Sequence, residues 1–148
     1  MMENPEVGSV INCTHIFPLR VYFEDTDSGG IVYYANYLKY AERARTELLR
    51  CMGYPHTNMM ADCSLALVVR RCEVDYFKPA YMDDVLKVHS GNVEIKAASL
   101  LIEQTITRKP DEIANILVSL ACIGENGKPK RLPNELCDAL LPLLAFKT

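Results

Sequence analysis

Three carboxylates fall within four residues, at Glu24, Asp25 and Asp27, and the chain continues Ser28-Gly29-Gly30. Carboxylates crowded onto a turn can do two kinds of chemistry. One of them can attack an acyl carbon or activate water, provided that nearby donors hold the oxyanion that develops. Alternatively the set can hold a hard cation, since Asp25, Asp27 and Gly30 fit the first, third and sixth places of a calcium-binding loop. The fifth place would then be Gly29, with no side-chain oxygen, and the twelfth Asn36, where a bidentate Glu is needed. That disfavours calcium. Most acidic turns containing glycine merely reverse the chain, so the residues by themselves leave a structural role open beside a hydrolytic one.

A donor set lies close by. From about Tyr34 the pattern turns helical: Tyr37, Ala41, Ala44, Leu48 and Met52 share one face, with Lys39, Glu42, Arg43, Thr46 and Arg50 elsewhere. A helix N-terminus presents unpaired N–H groups and a partial positive charge, and Asp27 sits on a turn that can fold back over that end. Asn36 or a neighbour is expected to cap the helix. Glu42 with Arg45, and Arg43 with Glu47, stand at spacings that pair charges across one helical turn. Ahead of the turn, His15, Phe17, Leu19, Val21 and Phe23 alternate with other residues, as a half-buried strand does. Pro18 interrupts that run, and Pro is tolerated chiefly at edges and bulges. The strand is therefore expected to begin near Leu19 or to bulge before it.

The run EDTDSGGIVYYANY, residues 24–37, resembles the signature of the 4-hydroxybenzoyl-CoA thioesterase family, and ERARTE, residues 42–47, extends the match. The resemblance is closest to the bacterial acyl-CoA thioesterase branch associated with the Tol–Pal envelope system. It implies a hotdog fold, an α+β architecture in which an antiparallel sheet wraps one long helix, over roughly residues 19–123. It also implies hydrolysis of acyl-CoA, with Asp27 as the catalytic carboxylate and the backbone N–H of Tyr34 as the oxyanion donor. No cofactor or metal is implied. In the family two subunits join their sheets with active sites at the interface, so a homodimer or homotetramer is expected. Many members of this branch carry His where this chain has Tyr34; a backbone donor survives that change and an imidazole role does not.

Substrate contacts are less sharply marked. CoA needs cations for its phosphates, and Arg70, Arg71, Lys96, Lys128, Lys130 and Arg131 are candidates. The family position nearest those phosphates falls around Lys96, where some relatives have consecutive arginines. Met59 and Met60 are candidates for an acyl pocket, since Met adapts to varied shapes. Three other functions stay open beside hydrolysis at Asp27. A hotdog dehydratase would need a His before the helix, and none lies within residues 19–53. Another thioesterase branch places its carboxylate on the helix, where this chain has Glu42 and Glu47. The third is a module that binds acyl-CoA or acyl carrier protein without turnover.

Composition bounds these readings. A chain of 148 residues, nearly half of them apolar, makes one domain with a sizeable core. A net charge of −3 argues against nonspecific nucleic-acid binding. Six cysteines without paired spacing are expected as small reduced core residues, and three scattered histidines show no zinc-ligand spacing. The N-terminus lacks a basic start and a long apolar run, and the C-terminal LLPLLAF falls well short of the ~20 residues a bilayer span needs. A soluble, cytoplasmic protein with no membrane insertion is therefore expected.

The remaining elements follow in order. Residues 1–13 are expected as a loose lead-in. Gly53-Tyr54-Pro55 stops the helix, and residues 56–64 are expected as a connection. Strands are expected from residue 65 to about 76, over 85–94 with a bulge at Gly91, over 98–108, and over 114–123, the last covered on both faces. Asn126-Gly127 is a turn, and residues 133–148 hold a short helix, about 136–141, ended by Pro142.

Overall fold

The structure, a computed structural model, describes residues 6–145, with the side chains of Asp62 and Cys63 outside the description; the lead-in residues 1–5 and tail residues 146–148 also lie outside it. Six strands form one antiparallel sheet: β1 Ser9–Ile11, β2 Thr14–Arg20, β3 Ala66–Tyr76, β4 Val85–Ile95, β5 Ser99–Arg108 and β6 Asp111–Ile123, in the order β1-β2-β4-β5-β6-β3. Helix α1, Asn36–Cys51, lies against the inner face; α2, His56–Cys63, and α3, Asn134–Leu140, complete the chain. This is the expected α+β hotdog arrangement.

Packing follows the two periodicities. α1 turns Tyr37, Tyr40, Ala41, Ala44 and Leu48 inward, all nearly or wholly buried, and Leu86, Val88, Leu100, Ile102, Ile116 and Val118 meet them from the sheet. Full burial of one such leucine contributes about 1.5–3 kcal/mol. Alanine at 41 and 44 lets the helix backbone approach closely: the Gln104 side chain on β5 reaches the Ala41 carbonyl at 2.9 Å.

Several expectations are corrected. Part of the lead-in is ordered as β1, which pairs with the start of β2. β2 runs straight through Pro18, opposite Lys87, without a bulge. Beyond Ile16 it has no β1 neighbour, so the missing Pro N–H falls on an open edge. The strand ends at Arg20 rather than continuing: Phe23–Asp25 is a 3₁₀ turn, and Phe23 points outward, 79% exposed. Residues 56–63 are helix α2, a short element whose mixed polarity hides its period. β6 is fully buried on one face and half-buried on the other. The bulge expected at Gly91 is present, as a register shift between Gly91 and Glu94. Of the cysteines described, Cys122 is buried but Cys72 is exposed on β3, and the rest are intermediate.

Candidate active site

The acidic turn folds as a short hairpin. Thr26 bridges Val32, the Asp27 N–H donates to the Ile31 carbonyl at 2.9 Å, and the Gly30 N–H donates to the Asp27 carbonyl at 3.0 Å. Gly30 takes φ +81°, in the left-handed region that suits the last position of such a loop, and has open space around it. Glycine is required there by its dihedral, not by crowding. Asp27 sits at the tip, exposed, with Oδ1 accepting the Gly29 N–H at 2.8 Å. That contact orients the carboxylate and leaves its second oxygen facing solvent.

Asp25 is buried, at 8% exposure. Its Oδ2 accepts the Tyr22 N–H at 2.8 Å, and its carbonyl accepts both the Tyr33 N–H at 2.9 Å and the Asn36 Nδ2 at 2.8 Å. The role expected for Asn36 is thereby corrected. The N-cap residue is Ala35, with no side-chain cap bond, and Asn36 instead ties the first turn of α1 to the hairpin. Tyr40 stands beneath this knot. Burial and then the neighbouring Asp25 carboxylate raise its phenol well above the ordinary value, although its hydroxyl makes no hydrogen bond of normal geometry.

Tyr34 lies two residues beyond the bridging Val32, just ahead of α1. Among the described residues its N–H has no acceptor; it stands one residue ahead of the Ala35 N-cap. Its carbonyl accepts the Tyr76 hydroxyl at 3.1 Å, and its exposed ring lies 4.9 Å from that of Tyr33 and 6.2 Å, edge-on, from that of Tyr76. Turn, helix start and the end of β3 are thus joined, with Asp27 and the Tyr34 N–H on one connected segment.

The remaining sequence candidates do not gather there. Arg70 is exposed beside the β3 bulge, and Lys96 is exposed at the β4–β5 turn. Met59 is buried in the core and Met60 is 65% exposed; neither lines the apolar cavity beside α1. That cavity, about 270 Å³, opens between α1, α2, β3 and β5, with Glu42, Arg45 and His56 as its polar lining. Arg45 pairs not with Glu42 but with Gln104, at 2.8 Å, and Glu47 pairs with Arg50 rather than Arg43. Gln104 and Ser90, both fully buried, were missed as functional residues by the sequence reading. The signal was present: Gln104 shares the inward parity of Leu100, Ile102 and Ile106. Among the described residues no group of three or more His, Cys, Asp or Glu is close enough to hold a metal ion, and no helix is long and apolar enough to cross a membrane.

Comparisons with known proteins converge. A family model described as the thioesterase-like superfamily matches residues 21–140. The chain is 40% identical over 121 residues to an acyl-CoA thioesterase YbgC of Haemophilus influenzae, covering 81% of this chain and 89% of that one. It is 38% identical over 122 residues to an acyl-CoA thioester hydrolase YbgC of Escherichia coli, covering 81% and 90%. Among solved structures, a probable thioesterase from Bartonella henselae superposes with a TM-score of 0.78 at 36% identity, covering 81% of this chain and 99% of that one. A 1,4-dihydroxy-2-naphthoyl-CoA thioesterase from Synechocystis, at 24% identity and TM-score 0.80 over 86% and 95% of the two chains, shares the fold.

Proposed function

Because this chain belongs to the thioesterase-like superfamily, and within it to the YbgC-like acyl-CoA thioesterases, we propose that it hydrolyses acyl-CoA thioesters with Asp27 as the catalytic carboxylate and the Tyr34 N–H as the oxyanion donor. The observation that carries this reading is the unpaired Tyr34 N–H, two residues past the hairpin that bears an exposed, oriented carboxylate and two ahead of α1. In the step we envisage, Asp27 takes a proton from water as the water oxygen adds to the thioester carbon. The carbonyl oxygen, now an oxyanion, is held by the Tyr34 N–H and the positive end of α1. Collapse breaks the C–S bond, and the CoA sulfur leaves with the proton that Asp27 received. In direct attack, the Asp27 carboxylate would add to the thioester carbon and expel the CoA thiolate, forming an anhydride that water then hydrolyses to free the acid and regenerate Asp27.

A second reading has an observation of its own: Glu42 lines the apolar cavity beside α1 and Asp27 does not. One comparison separates the two. Asp27→Asn keeps the shape of the side chain but can neither take a proton nor attack, so kcat should fall by about 10²-fold or more, with acyl-CoA binding retained. Glu42→Gln should stay within a few-fold of the native enzyme. The reverse pattern, in an assay following thioester absorbance, would move the chemistry to the helix. An unchanged binding affinity with no wild-type turnover would leave a binding module.

We also propose that the protein works as a homodimer joined along β3. This strand is 11 residues long, forms one edge of the sheet and is exposed over most of its length. Its unpaired N–H and C=O groups, beside exposed Val68 and Val69, are suited to pairing with a second copy.

A further inference from the structure

The cavity beside α1 has apolar walls, Leu48, Leu67, Val69, Leu100, Ile102 and Leu120, and a guanidinium among them. Arg45 is held by a buried polar chain. The Gln104 Nε2 donates to the Ala41 carbonyl at 2.9 Å and to Ser90 Oγ at 3.0 Å, so both amide donors are used and Oε1 is left to accept. It accepts from Arg45 Nη1 at 2.8 Å. Gln104 and Ser90 are wholly buried, which fixes the direction in which the guanidinium enters the cavity.

This chain of bonds orients the charge without neutralising it. A neutral donor would satisfy Gln104 equally well; a guanidinium brings five N–H donors and a permanent charge. Among the described residues Arg45 makes no ion pair. Glu42, the one carboxylate on the lining, is exposed and only offsets in part the burial that makes the charged form of Arg45 costlier. His56 is pushed below its ordinary pKa by burial and then by Arg45, and an imidazole can in either state neutralise no part of the guanidinium charge. A cation left in apolar surroundings is costly unless an anion joins it. The volume is at the small end for a ligand pocket, which suits a short chain.

We propose that this cavity receives the acyl group and that Arg45 selects acyl groups ending in a carboxylate, that is, half-thioesters of short dicarboxylic acids. The proposal rests on the acyl-CoA reading and on the β3-joined dimer above: within one chain the cavity lies toward the opposite end of α1 and β3 from Asp27 and Tyr34, so the thioester it serves is the one held at the catalytic turn of the second copy. Arg45 acts here as a specificity residue at the far end of the acyl chain, with no part in bond breaking.

The test is binding of non-hydrolysable CoA thioethers to the wild-type protein by calorimetry, using carboxypropyl, carbamoylpropyl and butyl thioethers. The carboxypropyl compound should bind about tenfold or more tightly than either neutral one, the scale of a hydrogen bond to a charged group. Arg45→Met should erase that preference while leaving affinity for the butyl compound within a few-fold. If circular dichroism shows that this variant does not fold, Arg45→Gln takes its place. Equal or tighter binding of the butyl compound overturns the proposal, as does a preference that survives loss of Arg45, or no binding of any of the three. Thioether binding needs no turnover, so a separate assay on succinyl-CoA and butyryl-CoA reports on hydrolysis independently. Binding with the stated preference and no hydrolysis would retire the enzyme reading and keep the selectivity.

Discussion

His15 shows how one buried group sets a pH limit on the fold. It lies on β2 with no exposure, and its Nε2 meets the Val7 carbonyl at 2.6 Å. A carbonyl only accepts, so Nε2 carries the proton and Nδ1 is left as a buried lone pair without a partner. Burial lowers the imidazole pKa below its usual 6.5, against smaller opposing effects of the Val7 bond and Glu47. Below pH 6.5 the unfolded chain therefore binds a proton that the folded chain resists, and stability falls as pH drops from about 6.5 toward the folded value. His56 and His89 are shifted the same way by burial and add to the slope. His15→Gln, which can keep a donor toward Val7 without titrating, should flatten that slope in urea unfolding series at pH 5 to 7. An unchanged slope would mean that the proton is taken up elsewhere. None of this was readable from the position of one histidine in an alternating run, because the decisive partner is a backbone carbonyl on a segment expected to be loose.

Between elements, the decisive tie is the one from Asn36 to Asp25. It couples the hairpin that bears Asp27 to the first turn of α1. Asn36→Ala should cost about 1 kcal/mol of stability, the ordinary worth of one hydrogen bond. Its effect on kcat should be larger than on KM, because a loosened turn misplaces the carboxylate more than it weakens CoA binding. Asn36→Asp, which puts an acceptor against the Asp25 carbonyl, should be worse than alanine. Equal kcat in all three proteins would show that the hairpin holds itself. Sequence reasoning saw Asn36 near the helix start but gave it the wrong partner, since local spacing offers a cap and only the fold brings residue 25 within reach. It placed β4, β5 and β6 well, where Leu, Ile and Val keep a clear period, and α1, where Tyr37, Ala41, Ala44 and Leu48 do. It missed β1 and α2, which are short and lack one, and carried the first strand too far, because alternation at Val21 and Phe23 continues into a 3₁₀ turn. Arg45 was paired by helical spacing to Glu42; the true partner, Gln104, lies 59 residues away.

For the molecule as a whole, the proposed assembly rests on the open edge of β3. Dilution should dissociate the proposed dimer and lower activity in step, as followed by sedimentation and turnover at falling concentration. Cys72, exposed midway along this strand in the single chain, supplies a second readout. Its reaction with a thiol reagent should be slow at high protein concentration and quicken as the edges part. An active monomer, or a Cys72 rate indifferent to concentration, would count against the interface. The same edge carries a further consequence, for mixtures. Pairing through main-chain groups reads no sequence, so two related chains of this fold made together would accept each other as readily as themselves unless their side chains object. Fidelity in choosing its own copy would then rest on what borders the seam, the exposed Val68, Val69, Arg70, Arg71 and Glu73, and a mixed dimer with a sister chain would be the default outcome of losing them.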